Sequence, residues 1–286
     1  MAKYINPFTD LGFKRIFGQE FSKPLLLDFL NNLLYGERII QDLRFLDKEQ
    51  TALYEGDRTI IYDIYCTTNN GEHIIVEMQN RDQPNFKKRS IYYISEAISR
   101  QGKRGADWRY DIKAVYLIAF LNFELNDIGP NFRTDVALMD MATRKVFSTD
   151  LRMIFLQLPM FKKKPEECDN DFDRWIYVLK NMEALTRLPW AVNKSVFERI
   201  AEIADISALS KEERIKYEKA IKQYRDTLCV MEGAEQKGER KGERKGEQRA
   251  RAEISKKLFE RGMAIEEIAL ITSLTEEEVR SALAES

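Results

Sequence analysis

Apolar, β-branched residues fill two short runs, 60–66 and 73–78, with polar turn residues between them. Such runs, separated by Asn and Gly, predict two antiparallel strands joined as a β-hairpin. Gly71 can take the positive φ that closes a three-residue loop centred on Asn70. In that register, residues whose numbers sum to 140 lie opposite each other.

Carboxylates interrupt both runs at positions that this register makes partners. Asp63 lies across from Glu77, and the two-residue period of a strand adds Gln79 to the same face. Two carboxylates a strand apart repel each other unless a cation lies between them, and hard oxygen ligands suit Mg²⁺ or Mn²⁺. The stretch therefore predicts a metal site. A solvent-facing edge strand, or a Lys or Arg partner for Glu77, is the alternative, and a one-residue shift in register would separate the two acids.

Helical and strand patterns surround the hairpin. They predict helices at 6–18, 22–36 and 86–101, strands at 42–54, 113–120, 133–141 and 152–158, and helices from Pro165 onward. The order strand, helix, strand makes 113–120 a parallel partner of the hairpin. The chain is therefore predicted to be an α/β protein with a mixed central sheet flanked by helices and a helical C-terminal extension.

The predicted helix at 86–101 carries an apolar stripe of Ile91, Ile94 and Ile98. Basic and aromatic side chains on its other side and just beyond it are Lys87, Lys88, Arg89, Tyr93, Arg100, Lys103 and Arg104. This is the densest basic patch before the C-terminal repeat. A solvated helix face and contacts to phosphate are both open interpretations.

The first predicted helix carries Asp10 and Lys14 four residues apart, on its less apolar side. A surface ion pair is the modest interpretation of this spacing. The stronger hypothesis makes Asp10 a third acid of the metal site.

Composition narrows the chemistry. Charged residues make up 33% of the chain and the net charge is −1, so nucleic-acid binding would need a local basic patch. His73 is the only histidine and the three cysteines are isolated, which leaves carboxylates with a divalent metal as the available chemistry. Apolar runs are too short for a membrane span and the first residues lack a signal peptide's apolar segment, so we expect a cytoplasmic protein without a membrane partner.

The C-terminal part differs in composition from the predicted first domain at 1–230. Residues 231–251 contain the repeat KGER, KGER, KGEQ. Glycine every four residues costs about 1 kcal/mol each in a helix, which favours a basic linker or frayed helix, with a nucleic-acid arm as the alternative. Residues 252–286 predict a small module like a helix-turn-helix. Its third helix is acidic, which favours a protein-interaction module, including homo-oligomer formation, over DNA recognition.

Three ordered motifs resemble the recombination-promoting nuclease and putative transposase family of the PD-(D/E)xK nuclease superfamily. They are NPFTDLGFKRIFG at 6–18, VEMQ at 76–79 and FKKRSIYY at 86–93, and the resemblance covers roughly residues 4–230. It implies a restriction-endonuclease-like core and a metal-dependent DNA endonuclease linked to recombination or mobile elements. DNA would be the partner and Mg²⁺ or Mn²⁺ the cofactor.

Carried over residue by residue, the resemblance makes Asp63 and Glu77 the metal ligands. Gln79 occupies the position where the wider superfamily has Lys, and Asp10 resembles the acid of the first helix. Tyr62 replaces the Pro of the motif's name, which carries no chemistry. Gln79 can hold the attacking water but supplies no positive charge.

Further positions follow from the same resemblance. Arg89 and Tyr93 fall where the helix after the hairpin supports the site, and basic residues between 81 and 109 would hold the phosphate backbone. A catalytically weak or inactive transposase-derived DNA-binding or assembly protein is the alternative, because Gln79 lacks charge. A transcription regulator acting through 252–286 is a third hypothesis, which the acidic third helix disfavours.

Overall fold

The computed structural model describes residues 2–50, 59–83, 85–103, 105, 108–125, 129–192 and 194–284. The chain divides into two compact units, Met1–Tyr224 and Arg225–Ser286. A mixed six-stranded sheet flanked by helices forms the first unit, and the second unit is helical. The predicted fold class is confirmed. Among the described residues, no helix is both long and apolar enough to cross a bilayer.

The strands of the described residues form one large sheet and one small ribbon. They are β1 (Leu43–Phe45), β2 (Glu49–Gln50), β3 (Ile60–Ile61), β4 (Ile64–Thr68), β5 (His73–Gln79), β6 (Val115–Leu121), β7 (Arg133–Met139) and β8 (Val146–Gln157). The large sheet has the order β1-β4-β5-β6-β8-β7, and β2 pairs with β3. β6 runs parallel to both β5 and β8, and the other pairs are antiparallel.

Helices precede, interrupt and follow the sheet. They are α1 (Asp10–Phe17), α2 (Lys23–Leu33), α3 (Phe86–Ser99), α4 (Asp171–Asn181), α5 (Ser195–Ala204), α6 (Lys211–Glu260), α7 (Ile265–Thr272) and α8 (Glu276–Ala284). α1 begins where the Thr9 side chain accepts a hydrogen bond from the Gly12 N–H, and it ends at Gly18. The predicted first helix is therefore confirmed with a later start.

The hairpin of β4 and β5 has the predicted register. Ile64 pairs with Val76 and Thr67 with His73, so partner numbers sum to 140. Gly71 in the turn has a φ of 82°. β6 lies parallel to β5 on its other side, as the strand–helix–strand order predicts. This register places β5 in the interior of the sheet.

The first run of the hairpin is not one strand, and here the prediction is wrong. β3 pairs with β2, whereas β4 pairs with β5, and the backbone bends between them at Asp63. The Tyr62 N–H donates to the Lys48 carbonyl oxygen over 2.9 Å instead of joining the large sheet. The predicted strand at 42–54 is likewise divided into β1 and β2. Residues 51–58, which include the end of the predicted strand at 42–54, lie outside the described residues.

Helices cover the two faces of the sheet unequally. On one face, which we call the four-helix face, the four helices α1, α2, α4 and α5 pack against Ile74, Val76, Ile118 and Phe120, and the first turns of α6 add to the same core. On the opposite face, the single-helix face, α3 packs against Ile75, Leu117 and Ala119 with Phe86, Ile94 and Ala97. Period-two alternation along β5 and β6 separates these two cores.

The buried side of α3 differs in part from the predicted apolar stripe. Ile94 is fully buried, but Ile91 is 54% exposed. Phe86, Ser90 and Ala97 complete the buried side instead, because the rotation of the helix follows its contact with the sheet rather than its isoleucines.

The second unit, Arg225–Ser286, contains the rest of α6 with α7 and α8. The repeat at 231–251 is helical throughout. Gly262, with a φ of 82°, follows the end of α6. α8 begins at a capping box in which the Glu278 N–H donates to Thr275 Oγ1 and the Thr275 N–H donates to the Glu278 carboxylate.

Candidate active site

Two acids meet where β5 passes the bend before β4. Glu77 lies near the end of β5 opposite Ala119 of β6, and only 4% of its surface is exposed. It shares the single-helix face with Ile75 because alternate strand residues point the same way. Asp63, partly buried, occupies the bend at the position across from Glu77. The predicted juxtaposition of the two acids is therefore present.

Backbone N–H groups hold the two carboxyl groups in place. The Met78 N–H donates to Asp63 Oδ2 over 2.8 Å, and the Asp63 N–H donates to Glu77 Oε1 over 3.3 Å. Because the backbone bends at Asp63, these N–H groups donate to carboxyl oxygens instead of to carbonyl oxygens of the neighbouring strand. The bend therefore brings two carboxyl groups together where a backbone pair would otherwise form.

Burial and mutual repulsion keep both acids from ionising easily. Burial first, and then the charge of Asp63, raise the pKa of Glu77 to about 8. Burial also raises the pKa of Asp63, against the lowering effects of the Met78 N–H, Lys14 and Arg89. A pair of this kind gains most from a cation that neutralises both charges.

Gln79 completes the polar end of β5. Its Nε2 donates to Glu77 Oε2 over 3.3 Å, and its carbonyl oxygen accepts from the Asn122 N–H over 2.9 Å. The next residue, Asn80, donates from Nδ2 to the Phe8 carbonyl oxygen over 2.7 Å. The end of β5 is therefore fixed to the chain that enters α1.

α3 places Arg89 and Tyr93 beside the two acids, as the resemblance predicts. The Arg89 guanidinium lies 5.2 Å from the Phe86 ring centroid and 5.7 Å from that of Tyr93. It also donates to Gln83 Oε1 over 2.7 Å, and its charge lowers the pKa of Glu77. Burial, followed by the charge of Glu77, raises the pKa of the Tyr93 hydroxyl. Arg89 thus offsets part of the negative charge of the site.

The rest of the predicted DNA-binding patch is spread from the first turn of α3 to beyond its end. Lys88 and Lys103 are exposed and Lys87 is half-buried. Arg100 pairs with Glu96 at 3.0 Å and is about 16 Å from Arg89 along the helix. Arg104 lies outside the described residues. Only the first turns of α3 are therefore close to the two acids.

Asp10 of α1 takes the modest of its two predicted roles. Its carboxylate forms an ion pair with Lys14, and 69% of the Asp10 side chain is exposed. The charge of Asp10 raises the pKa of Asp63, so α1 faces the same end of the sheet. Among the described residues, no group of three or more His, Cys, Asp or Glu side chains is arranged to hold a metal ion.

The donor set nevertheless fits a hard divalent cation. Mg²⁺ is commonly held by one or two carboxylates, with water and substrate phosphate completing its octahedron. Asp63 and Glu77 supply two carboxylates on one face, and the amide of Gln79 lies next to Glu77. These residues are the ones that would hold such an ion.

A mixed sheet with acids at the end of a central hairpin defines a nuclease-like α/β core. The family model described as "PD-(D/E)XK nuclease family transposase" matches residues 7–234. The chain belongs to this family, which confirms the resemblance drawn from its motifs. Neither the curated proteins nor the solved structures compared with the chain include a match.

Two residues near the acids were not singled out as site residues from sequence. Lys14 acts on Asp63 from α1, and Asn80 anchors α1 to the end of β5. The spacing of Asp10 and Lys14 signals only an ion pair, since the distance from α1 to the hairpin depends on the tertiary fold. Asn80 directly follows the VEMQ motif, and that position was its sole signal.

Proposed function

We propose that the protein is a metal-dependent DNA endonuclease that hydrolyses phosphodiester bonds in recombination or mobile-element processes. The observation that carries this proposal is the buried pair of Asp63 and Glu77, held face to face by backbone N–H groups. Membership of the nuclease-type transposase family supports a DNA substrate. Holding two carboxylates together away from water without a cation would cost free energy.

The proposed roles follow from the contacts. Asp63 and Glu77 hold Mg²⁺ or Mn²⁺. When bound, the cation supplies Lewis-acid stabilisation of phosphate charge and lowers the pKa of a water molecule. Gln79 orients the attacking water through its amide, which already lies beside Glu77. Asn122 fixes the Gln79 backbone and so limits the positions the amide can reach.

The first turns of α3 are the proposed phosphate-binding surface. Lys88 is exposed there and Arg89 lies between this surface and the acids. Lys87 belongs to the same turn, and Lys103 is a separate exposed cation beyond the other end of α3. Contacts of this kind hold the DNA backbone without reading its sequence. A homo-oligomer through α7 and α8 is part of the same proposal.

Nicking of supercoiled plasmid tests the proposal. We expect cleavage with Mg²⁺ or Mn²⁺ and none with EDTA, and we expect Asp63→Ala and Glu77→Ala each to abolish it. Asp150→Asn is the matched control, because this acid binds Ser148 on an exposed part of β8. Nicking by Asp63→Ala at the wild-type rate would remove Asp63 from the mechanism.

A catalytically weak or inactive DNA-binding or assembly protein is the second candidate, and Gln79 favours it because the amide carries no positive charge. Calorimetric titration with Mn²⁺ separates the two candidates. The endonuclease should bind Mn²⁺ in a manner that Glu77→Ala eliminates. A protein that keeps only the nuclease shell should show no binding that depends on Glu77.

A further inference from the structure

α1 is attached to both strands that carry the proposed metal ligands. At its beginning, the Phe8 carbonyl oxygen accepts a hydrogen bond of 2.7 Å from Asn80, the residue after Gln79. At its end, a Cβ built on Gly18 would lie 3.5 Å from Cγ1 of Ile64, the residue after Asp63. The middle of α1 therefore spans the gap between the two halves of the site.

Lys14 extends from this helix toward the site. Side chains in a helix lean toward its N-terminus, and the ion pair with Asp10 directs the ammonium group the same way. That direction leads from the Gly18 end of α1 toward the end held by Asn80. The Lys14 side chain is 26% exposed, and its charge lowers the pKa of Asp63. Lys14 is thus a cation of α1 whose charge acts on Asp63.

Arg89, the other cation that lowers the pKa of Asp63, has its guanidinium group held by neighbouring side chains. Arg89 lies against the rings of Phe86 and Tyr93 and donates to Gln83. Lys14 has a flexible four-carbon stem and three donors, which suit it to donate to a phosphate oxygen bound near Asp63.

We propose that Lys14 is the catalytic cation of the proposed nuclease and supplies the positive charge that Gln79 lacks, with Asp10 as its positioning residue. This assignment rests on the endonuclease function proposed above. During hydrolysis a bond forms between the water oxygen and phosphorus, and a P–O ester bond breaks. The attacking water releases a proton to solvent, and the leaving oxygen takes up a proton from solvent. Lys14 stays protonated throughout and donates to a non-bridging phosphate oxygen as negative charge accumulates there.

Substitution of Lys14 should separate cleavage from metal binding. Lys14→Met should lower the nicking rate about 10²–10³-fold, the usual effect of removing one such donor. It should leave Mn²⁺ binding as tight as in the wild type or tighter, because a repelling charge is gone. Lys14→Arg should retain most of the activity, which would show that the charge matters and that the fold tolerates the change.

Lys23→Met is the matched control. Lys23 also forms an ion pair with an aspartate, Asp42, at 2.8 Å, and its side chain is 29% exposed, but it lies on α2. We expect wild-type nicking from this variant. Circular dichroism and thermal unfolding of both methionine variants should match the wild type closely enough to exclude misfolding.

Relocation of the charge gives the sharpest test. The double variant Lys14→Met/Gln79→Lys carries a lysine at the superfamily position and should cleave at least about tenfold faster than Lys14→Met alone. Asp10→Asn should lower nicking without weakening Mn²⁺ binding, whereas loss of a third metal ligand would weaken it. If wild-type protein nicks DNA and Lys14→Met nicks equally well, the Lys14 assignment is overturned. If wild-type protein does not nick DNA, the endonuclease proposal itself fails.

Discussion

On the four-helix face, β5 contributes Ile74 and Val76 to an apolar core, whereas on the single-helix face it contributes Ile75 and then Glu77. Both faces are buried at this point, so burial alone does not distinguish them. The difference lies in what is buried. The four-helix face buries apolar side chains, which stabilises the fold, whereas the single-helix face also holds two carboxyl groups out of water, which costs free energy.

Tertiary supports differ in the same way. On the four-helix face, aromatic rings pack edge to face, with Phe13 and Phe17 at 5.5 Å and Phe29 and Trp175 at 5.7 Å between centroids. On the single-helix face, backbone N–H groups and Arg89 support the acids. Apolar residues on both faces therefore stabilise the fold, and that stability allows the single-helix face to keep an unfavourable charge arrangement.

The largest effect on stability should come from the four-helix face. Trp175 is fully buried and its indole N–H donates to Asp28 Oδ2 over 2.6 Å. Trp175→Ala should lower the free energy of unfolding by about 3–5 kcal/mol, because it leaves a cavity and an Asp28 carboxyl without this donor. Urea denaturation at pH 7 measures the change.

The control for this variant is Tyr35→Ala, since Tyr35 is 88% exposed. A substitution at such a site should change the free energy of unfolding by no more than about 0.5 kcal/mol. A loss of less than about 1 kcal/mol in Trp175→Ala would show that the aromatic cluster does not carry the stability attributed to it.

On the single-helix face, an isosteric substitution should stabilise the metal-free protein. The pKa of Glu77 rises from an ordinary value of 4.5 to about 8 in the folded state. The folded protein thus binds a proton more tightly than the unfolded chain, so the contribution to stability is complete below pH 4.5 and is lost as the pH rises to about 8. Glu77→Gln removes this loss and should be more stable at pH 8.5 by an amount on the order of a few kcal/mol.

Denaturant titrations in EDTA at a series of pH values measure this difference. Wild-type stability should decline between pH 5 and about 8, and the Gln variant should decline less. Addition of Mn²⁺ at pH 8 should stabilise the wild type and not the variant, because the proposed metal site needs both carboxylates. Parallel pH profiles for the two proteins would contradict the raised pKa of Glu77.

The sequence predicted which two acids lie opposite each other, but it did not predict the backbone bend between them. The pairing of Asp63 with Glu77 followed from the turn at Gly71 and the period of a strand, both of which are local properties. The bend at Asp63 was not predictable in this way, because it depends on the Tyr62 N–H finding Lys48 across a second pair of strands.

Longer-range features of the site show the same limit. Lys14 was visible only as the partner of Asp10, since nothing in an i, i+4 spacing tells which strand a helix will cross. The exposure of Ile91 was also missed, because three isoleucines at helical spacing do not fix the rotation of α3 on the sheet. Local patterns therefore placed the acids and the family resemblance placed Arg89, whereas only the tertiary fold brings the charge of Lys14 to bear on Asp63.

The smallest expected effect concerns Tyr62, which stands where the superfamily motif has Pro and lies beside Asp63. Its ring is fully buried against Tyr65 and Tyr93, and its hydroxyl donates to the Tyr93 carbonyl oxygen over a long 3.3 Å. Tyr62→Phe keeps the ring packing and removes only this bond. The free energy of unfolding should therefore fall by about 0.5–1.5 kcal/mol.

Nicking by Tyr62→Phe should equal that of the wild type, because the hydroxyl points to α3 rather than to the acids. Tyr92→Phe, at a 48% exposed position of α3, provides the control with no expected loss of stability. A fall in the nicking rate without a fall in stability would mean that the Tyr62 hydroxyl takes part in the chemistry. The single-helix face would then carry a third reactive group, the Tyr62 hydroxyl, in addition to the two acids. The chemistry of this face would extend to the residue before the bend.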